Sequence, residues 1–597
     1  MKKQDKIFQG RTGWWVLTAL LAFTMIGAWA VPARKGLWRT VTLTDGTQVK
    51  VQLVGDEHLH FYQSADGTRY QQVDSTDTWQ AVADSALTRL QTFAAKRRQL
   101  SAAHSTLARQ HAAQKAKGKA SSSGSSVFQG TQRGLIILVE FPDNKFASGH
   151  DVTLYNDIAN AENYSNGNFL GSVHDYFKAQ SYGQFDLQFD VVGICTLSNK
   201  MAYYGGNDRN GEDLRPGAMV AEACQWADEQ GVDFSKYDWD GDGEVEEVFI
   251  LYAGKGENSG GAANTVWPHK WELSASDYKE SLTFDNTKID VYACSNELEY
   301  DGSITGIGTI CHEFSHCMGF PDLYDTSESG SNFGMDAFDL MDYGNYNGDT
   351  FCPAGYSAYE RAACGWIDLK DVTDMDSALT VSSLQPLSSE GDAYVIYNKG
   401  NENECYIVEN RQLEGWDADL PGKGLMVTHV DYDDSVWYYN VPNTNYGQYY
   451  DANGESCYNT HQRLTIFHAD NTASSSNTAT DLYPFRNNDS LTVNSKPAAT
   501  LYNENSDGTK YMHVGIHDIK QNADGTMSLT FRGKDYSGGG TSSVRRVVAA
   551  SPADGGQLVD IYSISGVLVA RQTTLSEAQA FLSRGIYIAG GKKLVVE

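Results

Sequence analysis

The stretch Cys311-His312-Glu313-Phe314-Ser315-His316-Cys317-Met318-Gly319-Phe320-Pro321-Asp322 leaves a chain few ways to fold. On a helix, His312 and His316 stand four residues apart, so both imidazoles leave one face and can reach one ion. A catalytic zinc takes three protein ligands and keeps one position for water. Glu313, next round the helix from the first ligand, can serve that water as general base without being a ligand. The third ligand must come from beyond the helix. Gly319 can end the helix in the left-handed conformation, and Pro321 forbids it from resuming. The chain then turns back and can bring the Asp322 carboxylate to the metal. A bare H-E-x-x-H also occurs in amphipathic helices with two surface histidines. The extension to Asp322 sets this one apart.

A second element follows at Asp339-Leu340-Met341-Asp342-Tyr343-Gly344. In metzincin peptidases the long signature precedes a tight turn with a Met beneath the metal. A Tyr two residues later lies near the ion in some of them, and Met341 and Tyr343 have that spacing. The region resembles the immune inhibitor A family of secreted metallopeptidases. The resemblance rests on His312, Glu313, His316, Gly319, Pro321, Asp322 and Tyr324. It also covers Ser172-Val173-His174-Asp175-Tyr176-Phe177, Ser181-Tyr182-Gly183, Val266-Trp267-Pro268-His269, Val408-Glu409-Asn410-Arg411-Gln412 and Gly424-Leu425-Met426-Val427-Thr428-His429-Val430-Asp431. It implies a metzincin-like zinc peptidase domain, with one catalytic Zn2+ on His312, His316 and Asp322. Protein or peptide substrates are expected, with Glu313 as base and Tyr343 beside the oxyanion. Asp as third ligand is expected in this family.

The rest of the chain reads as a multidomain α+β protein. Residues 1–30 have the form of a signal peptide: Lys2, Lys3, Lys6 and Arg11, then an apolar run, then Ala28-Trp29-Ala30. The run is short for a transmembrane anchor, and no later segment is long and apolar enough to be one. Residues 31–126 read as a propeptide and linker. Alternating runs with Asp45-Gly46 and Asp66-Gly67 turns make a small β unit up to about residue 83. A basic helical stretch follows, then Ser121-Ser122-Ser123-Gly124-Ser125-Ser126. This segment has no Cys to block zinc, which leaves an Asp such as Asp56 or Asp66 for that role. The catalytic domain is expected over 127–370. Its elements are a buried strand at Leu135 to Phe141, a helix at Val173 to Gln180, a strand from Phe185 and a helix entered through Pro216. The zinc-motif helix is expected to start near Ser303 or Thr305, either of which can cap it. Residues 371–535 read as β-rich, 536–545 as a linker and 546–597 as a small all-β module. The last resembles the sorting domain of proteins exported by the type IX secretion machinery. That implies passage through the periplasm to the cell surface or beyond.

Asp238-Trp239-Asp240-Gly241-Asp242-Gly243, with Glu246 at the ninth position, is the first half of a calcium loop. Phe249 stands where the bidentate Glu of an EF-hand belongs, so any Ca2+ held by Asp238, Asp240, Asp242 and Glu246 needs a further ligand. His429, Asp431, His468 and Asp470 offer a second metal set, against which ordinary hydrogen bonding is the simpler reading. The nine cysteines include no C-x-x-C pair. A net charge of -30 excludes the basic patch that nucleic acid requires. Two rival functions remain. A catalytically weak surface-binding or adhesin protein on a peptidase scaffold would be free to lose the triad and Glu313, and this chain keeps both. A zinc hydrolase of another bond type would place a Glu ligand far from the helix, and the short return to Asp322 does not.

Overall fold

A computed structural model describes residues 31–90 apart from 74–77, 84 and 88. It also describes 127–533 apart from 209, 210, 328, 329, 376, 452 and 453, and four strands near the C-terminus. The expected signal peptide, most of the basic stretch and both linkers lie outside the described residues. The chain divides into two units, Met1–Tyr536 and Ser537–Glu597.

The first unit opens with a closed five-stranded barrel: Trp38–Leu43, Gln48–Gly55, His60–Ser64, Arg69–Gln72 and Thr78–Ala81. The two Asp-Gly pairs make hairpin turns, with Gly46 at φ 85° and Gly67 at φ 86°, a conformation that glycine adopts without strain. Val41, Val51, Leu53, Tyr62, Tyr70 and Trp79 fill the barrel, and Trp267 of the next domain joins the same cluster.

That domain is built on a five-stranded sheet in the order Phe185–Thr196, Gly130–Glu140, Val248–Lys255, Val291–Leu298, His269–Glu272. The first four strands run parallel and the last is an antiparallel edge. Parallel strands are covered on both faces and so read as unbroken apolar runs. Ile136, Leu138, Phe249 and Leu251 face the helices Val152–Asn160, Val173–Gln180 and Gly308–Cys317. Leu135, Ile137, Ile250 and Tyr252 face the helix Pro216–Glu229. The zinc-motif helix docks through Phe314, whose ring centroid lies 5.9 Å from that of Phe177 and 5.2 Å from that of Phe189. Burying such a ring contributes roughly 2–3 kcal/mol.

That helix starts at Gly308 with Ile307 as its uncapped N-cap residue, not at Ser303 or Thr305. Both candidate caps are used elsewhere: Ser303 bonds Asp301, and the Thr305 hydroxyl accepts from Asn296. Packing takes the place of a cap. A Cβ on Gly308 would sit 1.9 Å from the Asn345 carbonyl oxygen, and one on Gly306 would sit 2.4 Å from that of Thr350. Only glycine lets the helix start press this closely on the backbone of 343–350.

The β-rich part pairs a five-stranded sheet with a three-stranded one. The first has the order Lys370–Asp371, Tyr394–Asn398, Asn401–Arg411, Gly424–Asp431, Leu464–Ile466. Its central strands are buried on both faces rather than on one. Tyr394, Ile396, Tyr406 and Val408 meet the three-stranded sheet, whereas Val395, Ile407, Met426 and Val430 join the core on the helix-covered face of the preceding domain. The second unit is described by four antiparallel strands in the order Leu568–Thr573, Val559–Ser563, Gly585–Ala589, Lys592–Val596. All nine cysteines are free thiols.

Candidate metal centre and cleft

The Gly308–Cys317 helix carries His312 and His316 on one face, with ring centroids 4.8 Å apart. Past its end, Gly319 takes φ 97° and the chain turns back to Asp322. Asp322 Oδ1 then lies 3.1 Å from His312 Nε2 and 3.6 Å from His316 Nε2. All three residues are fully buried. Each ring is fixed from behind: His312 Nδ1 donates to the Leu340 carbonyl at 2.8 Å, and His316 Nδ1 donates to that of Phe320 at 2.7 Å. A carbonyl only accepts, so each Nδ1 holds its proton, and Nε2 is the atom of each ring that can ligate an ion at the common centre. Burial, reinforced by His312, holds the His316 imidazole well below its usual range. A neutral imidazole is the form that binds metal. One ligand atom from each residue lies within 4.8 Å of the others, and two imidazoles and a carboxylate are a donor set that suits a zinc ion.

The Met341 turn supports this centre. Leu340 supplies the carbonyl that orients His312, and the Met341 carbonyl accepts from Leu323 N at 2.8 Å, beside Asp322. Asn440, in the β-rich part, clamps the third ligand. Its side-chain amide donates to Asp322 Oδ2, and its carbonyl oxygen accepts from Asp322 N, both at 2.7 Å. No sequence motif marks Asn440, which lies 118 residues from its partner.

Glu313 is fully buried beside the triad. Burial, and then the Asp322 charge, push its carboxyl well up. Its Oε2 meets no hydrogen-bond donor among the described residues, whereas Oε1 accepts from Val31 N at 3.0 Å. Residues 31–36 form a strap along the cleft that the sequence did not reveal. The Val31 carbonyl accepts from Trp267 Nε1 at 3.2 Å, and the Pro32 carbonyl accepts from the Tyr346 hydroxyl at 2.7 Å. Tyr343 belongs to this strap contact: Lys35 Nζ sits 3.3 Å above its ring. Of the two aspartates expected to block the metal, Asp66 lies in an exposed hairpin turn with Ser64 and Thr68. Asp56 is buried, accepts from the His58 and Leu59 amides, and its charge acts on Asp322.

At the acidic loop, Asp238, Asp240 and Glu246 converge to within 4.8 Å. Asp242 is not in that group, and its Oδ1 accepts from Glu244 N at 2.9 Å. Burial pushes the Glu246 carboxyl up to about 8. His429 and His468 instead pair with Glu404 (2.8 Å) and Asp481 (2.9 Å), so these histidines share no site.

The comparisons place this domain beside metallopeptidases. Residues 120–366 match the family model described as Immune inhibitor A peptidase M6, catalytic domain. Immune inhibitor A of Bacillus thuringiensis subsp. alesti is 24% identical over 285 residues, covering 40% of this chain and 41% of that protein. Pre-pro-metalloprotease PrtV of Vibrio cholerae serotype O1 is 26% identical over 258 residues, covering 36% of this chain and 28% of that protein. The matched region thus spans less than half of either relative. Among the described residues no helix is long and apolar enough to cross a membrane.

Proposed function

We propose that the protein is a secreted, zinc-dependent endopeptidase with a metzincin-like catalytic domain, made as a latent precursor. One observation carries the reading: His312, His316 and Asp322 converge beside a buried Glu313 whose Oε2 meets no donor among the described residues. His312, His316 and Asp322 would hold the ion. A zinc ion there supplies a lowered water pKa and polarises the scissile carbonyl. Glu313 takes the proton of the attacking water through Oε2 and passes it to the leaving amine. Tyr343 lies under Lys35 in the strap contact and takes no part in these proton transfers. Residues 31–126 act as the propeptide. The signal-peptide pattern ends at Ala30, so a cut there would turn the Val31 amide into an α-ammonium against Glu313 Oε1. Asp238, Asp240 and Glu246 would take Ca2+, relieving the buried charge of Glu246. A calcium-dependent rise in thermal midpoint, lost in Asp240→Asn, checks that part. The C-terminal unit serves type IX export, which requires residues 546–597 to be needed for secretion.

The decisive experiment is casein hydrolysis by the full-length chain after limited trypsin digestion, with and without 1,10-phenanthroline, beside Glu313→Gln. The expected result is cleavage abolished by the chelator and reduced about 10³-fold by the substitution, with one zinc per chain retained in the variant. Full activity in Glu313→Gln would sink the base assignment. Bound zinc without any cleavage would favour the adhesin reading.

A further inference from the structure

The strap runs through the cleft with a definite polarity. The nitrogen that Glu313 holds is that of Val31, and of the residues after it Pro32 meets Tyr346 and Lys35 meets Tyr343. In the mechanism above, Glu313 delivers its proton to the leaving amine, which is the nitrogen of the first residue after the scissile bond. Val31 therefore occupies the place of that residue, and Pro32, Ala33, Arg34 and Lys35 occupy the second to fifth. Val31, Pro32 and Ala33 are buried. The two basic residues meet carboxylates of the catalytic domain. Arg34 Nη1 lies 2.7 Å from Glu299 Oε2, and Nη2 lies 2.5 Å from Asp349 Oδ1. Its guanidinium carbon also lies 5.6 Å from the Tyr300 ring centroid and 5.7 Å from that of Tyr346. Lys35 Nζ lies 3.2 Å from Asp336 Oδ2 while covering Tyr343.

These contacts do not come from the barrel that carries the strap. They belong to the cleft wall, and remain there when the strap leaves. A carboxylate that is 5% exposed, as Glu299 is, costs free energy when its partner goes, so the vacated wall favours any ligand that restores a cation.

We infer that Glu299, Asp349 and Asp336 form an acidic subsite selecting substrates with basic side chains at the fourth and fifth residues after the scissile bond. The inference rests on the peptidase reading. Its substrate class is basic peptide with small or aliphatic residues next to the cut, the pattern Val-Pro-Ala-Arg-Lys that this chain itself carries.

The test uses the full-length chain activated by limited trypsin digestion. A peptide library is digested and the cut sites sequenced. Binding of Val-Pro-Ala-Arg-Lys-Gly and Val-Pro-Ala-Glu-Glu-Gly is then measured by titration calorimetry. We expect enrichment of Arg and Lys at the fourth and fifth positions, and about tenfold tighter binding of the basic peptide. That ratio should shrink in Glu299→Gln. Should that variant misfold, Asp349→Ala, which alters a side chain 83% exposed, should reduce the ratio by about twofold. Casein hydrolysis without positional enrichment and with equal peptide affinities overturns this inference alone. No casein hydrolysis by the digested chain overturns the peptidase reading, and the subsite with it.

Discussion

Glu313 and Arg411 are both fully buried ionisable groups in the same unit, and their surroundings differ. Arg411 has a partner on each side. Its Nε and Nη2 reach the two Asp417 oxygens at 2.8 and 2.6 Å, Nη1 reaches Glu409 at 3.3 Å, and Nη2 also donates to the Gly355 carbonyl. Against burial, which opposes it, the Asp417 charge holds the guanidinium firmly protonated. Among the described residues Glu313 has a single donor, the Val31 amide, and one oxygen with none. A buried charge whose partners are complete is a structural joint; this one ties a β-rich strand to the loop ahead of the Ala358–Ala363 helix. A buried charge with a vacant acceptor is poised for chemistry, at a cost in stability that the rest of the fold must carry.

This contrast can be broken at either pole. The largest effect is expected from Arg411→Ala, which strands Glu409 and Asp417 as uncompensated buried carboxylates. It should cost about 3–5 kcal/mol in urea unfolding followed by fluorescence, and a loss near zero would remove Arg411 from its structural role. Glu404 offers a middle case. Burial would raise its carboxyl, but the bond to His429, with Asn398 and the Tyr502 amide, brings it down to about 2. A folded value below the ordinary 4.5 means a contribution present above pH 4.5 and lost as the pH falls towards 2. Glu404→Gln should therefore cost about 2 kcal/mol at pH 7, after allowance for partial solvent screening. The difference from the parent should narrow below pH 4.5, and a penalty independent of pH would contradict the assignment. The smallest effect should come from Glu313→Gln. The amide oxygen can still accept from Val31, and no ion pair is broken, so stability should change by no more than about 1 kcal/mol. A loss as large as that of Arg411→Ala would erase the distinction between the two sites.

The residues of the candidate centre were legible because helical spacing is local. His312, Glu313 and His316 follow from a period of 3.6 residues, and Gly319 with Pro321 follows from what those residues do to a backbone. The Leu135 to Phe141 strand, the Val173–Gln180 helix and the Pro216 helix start were legible for the same reason. The start of the zinc-motif helix was not. There, close packing against Asn345 and Thr350 replaced the side-chain cap that local rules require. Nor did an alternating pattern foretell that the central β-rich strands would be buried on both faces, since that depends on which domain lies behind the sheet.

The sequence by itself determined a helix with two histidines on one face, a glycine turn returning an aspartate, and a third, partly legible acidic loop. These depend on backbone geometry over a dozen residues, where few conformations compete. Only the tertiary structure decided that Asn440 clamps Asp322, that Glu246 joins Asp238 and Asp240, and that Tyr343 lies under Lys35. It also decided that Val31 reaches Glu313 across 282 residues of chain. Contacts of that separation are selected by the packing of whole domains, through chain closure and buried surface summed over many residues, and leave no periodic trace along the sequence.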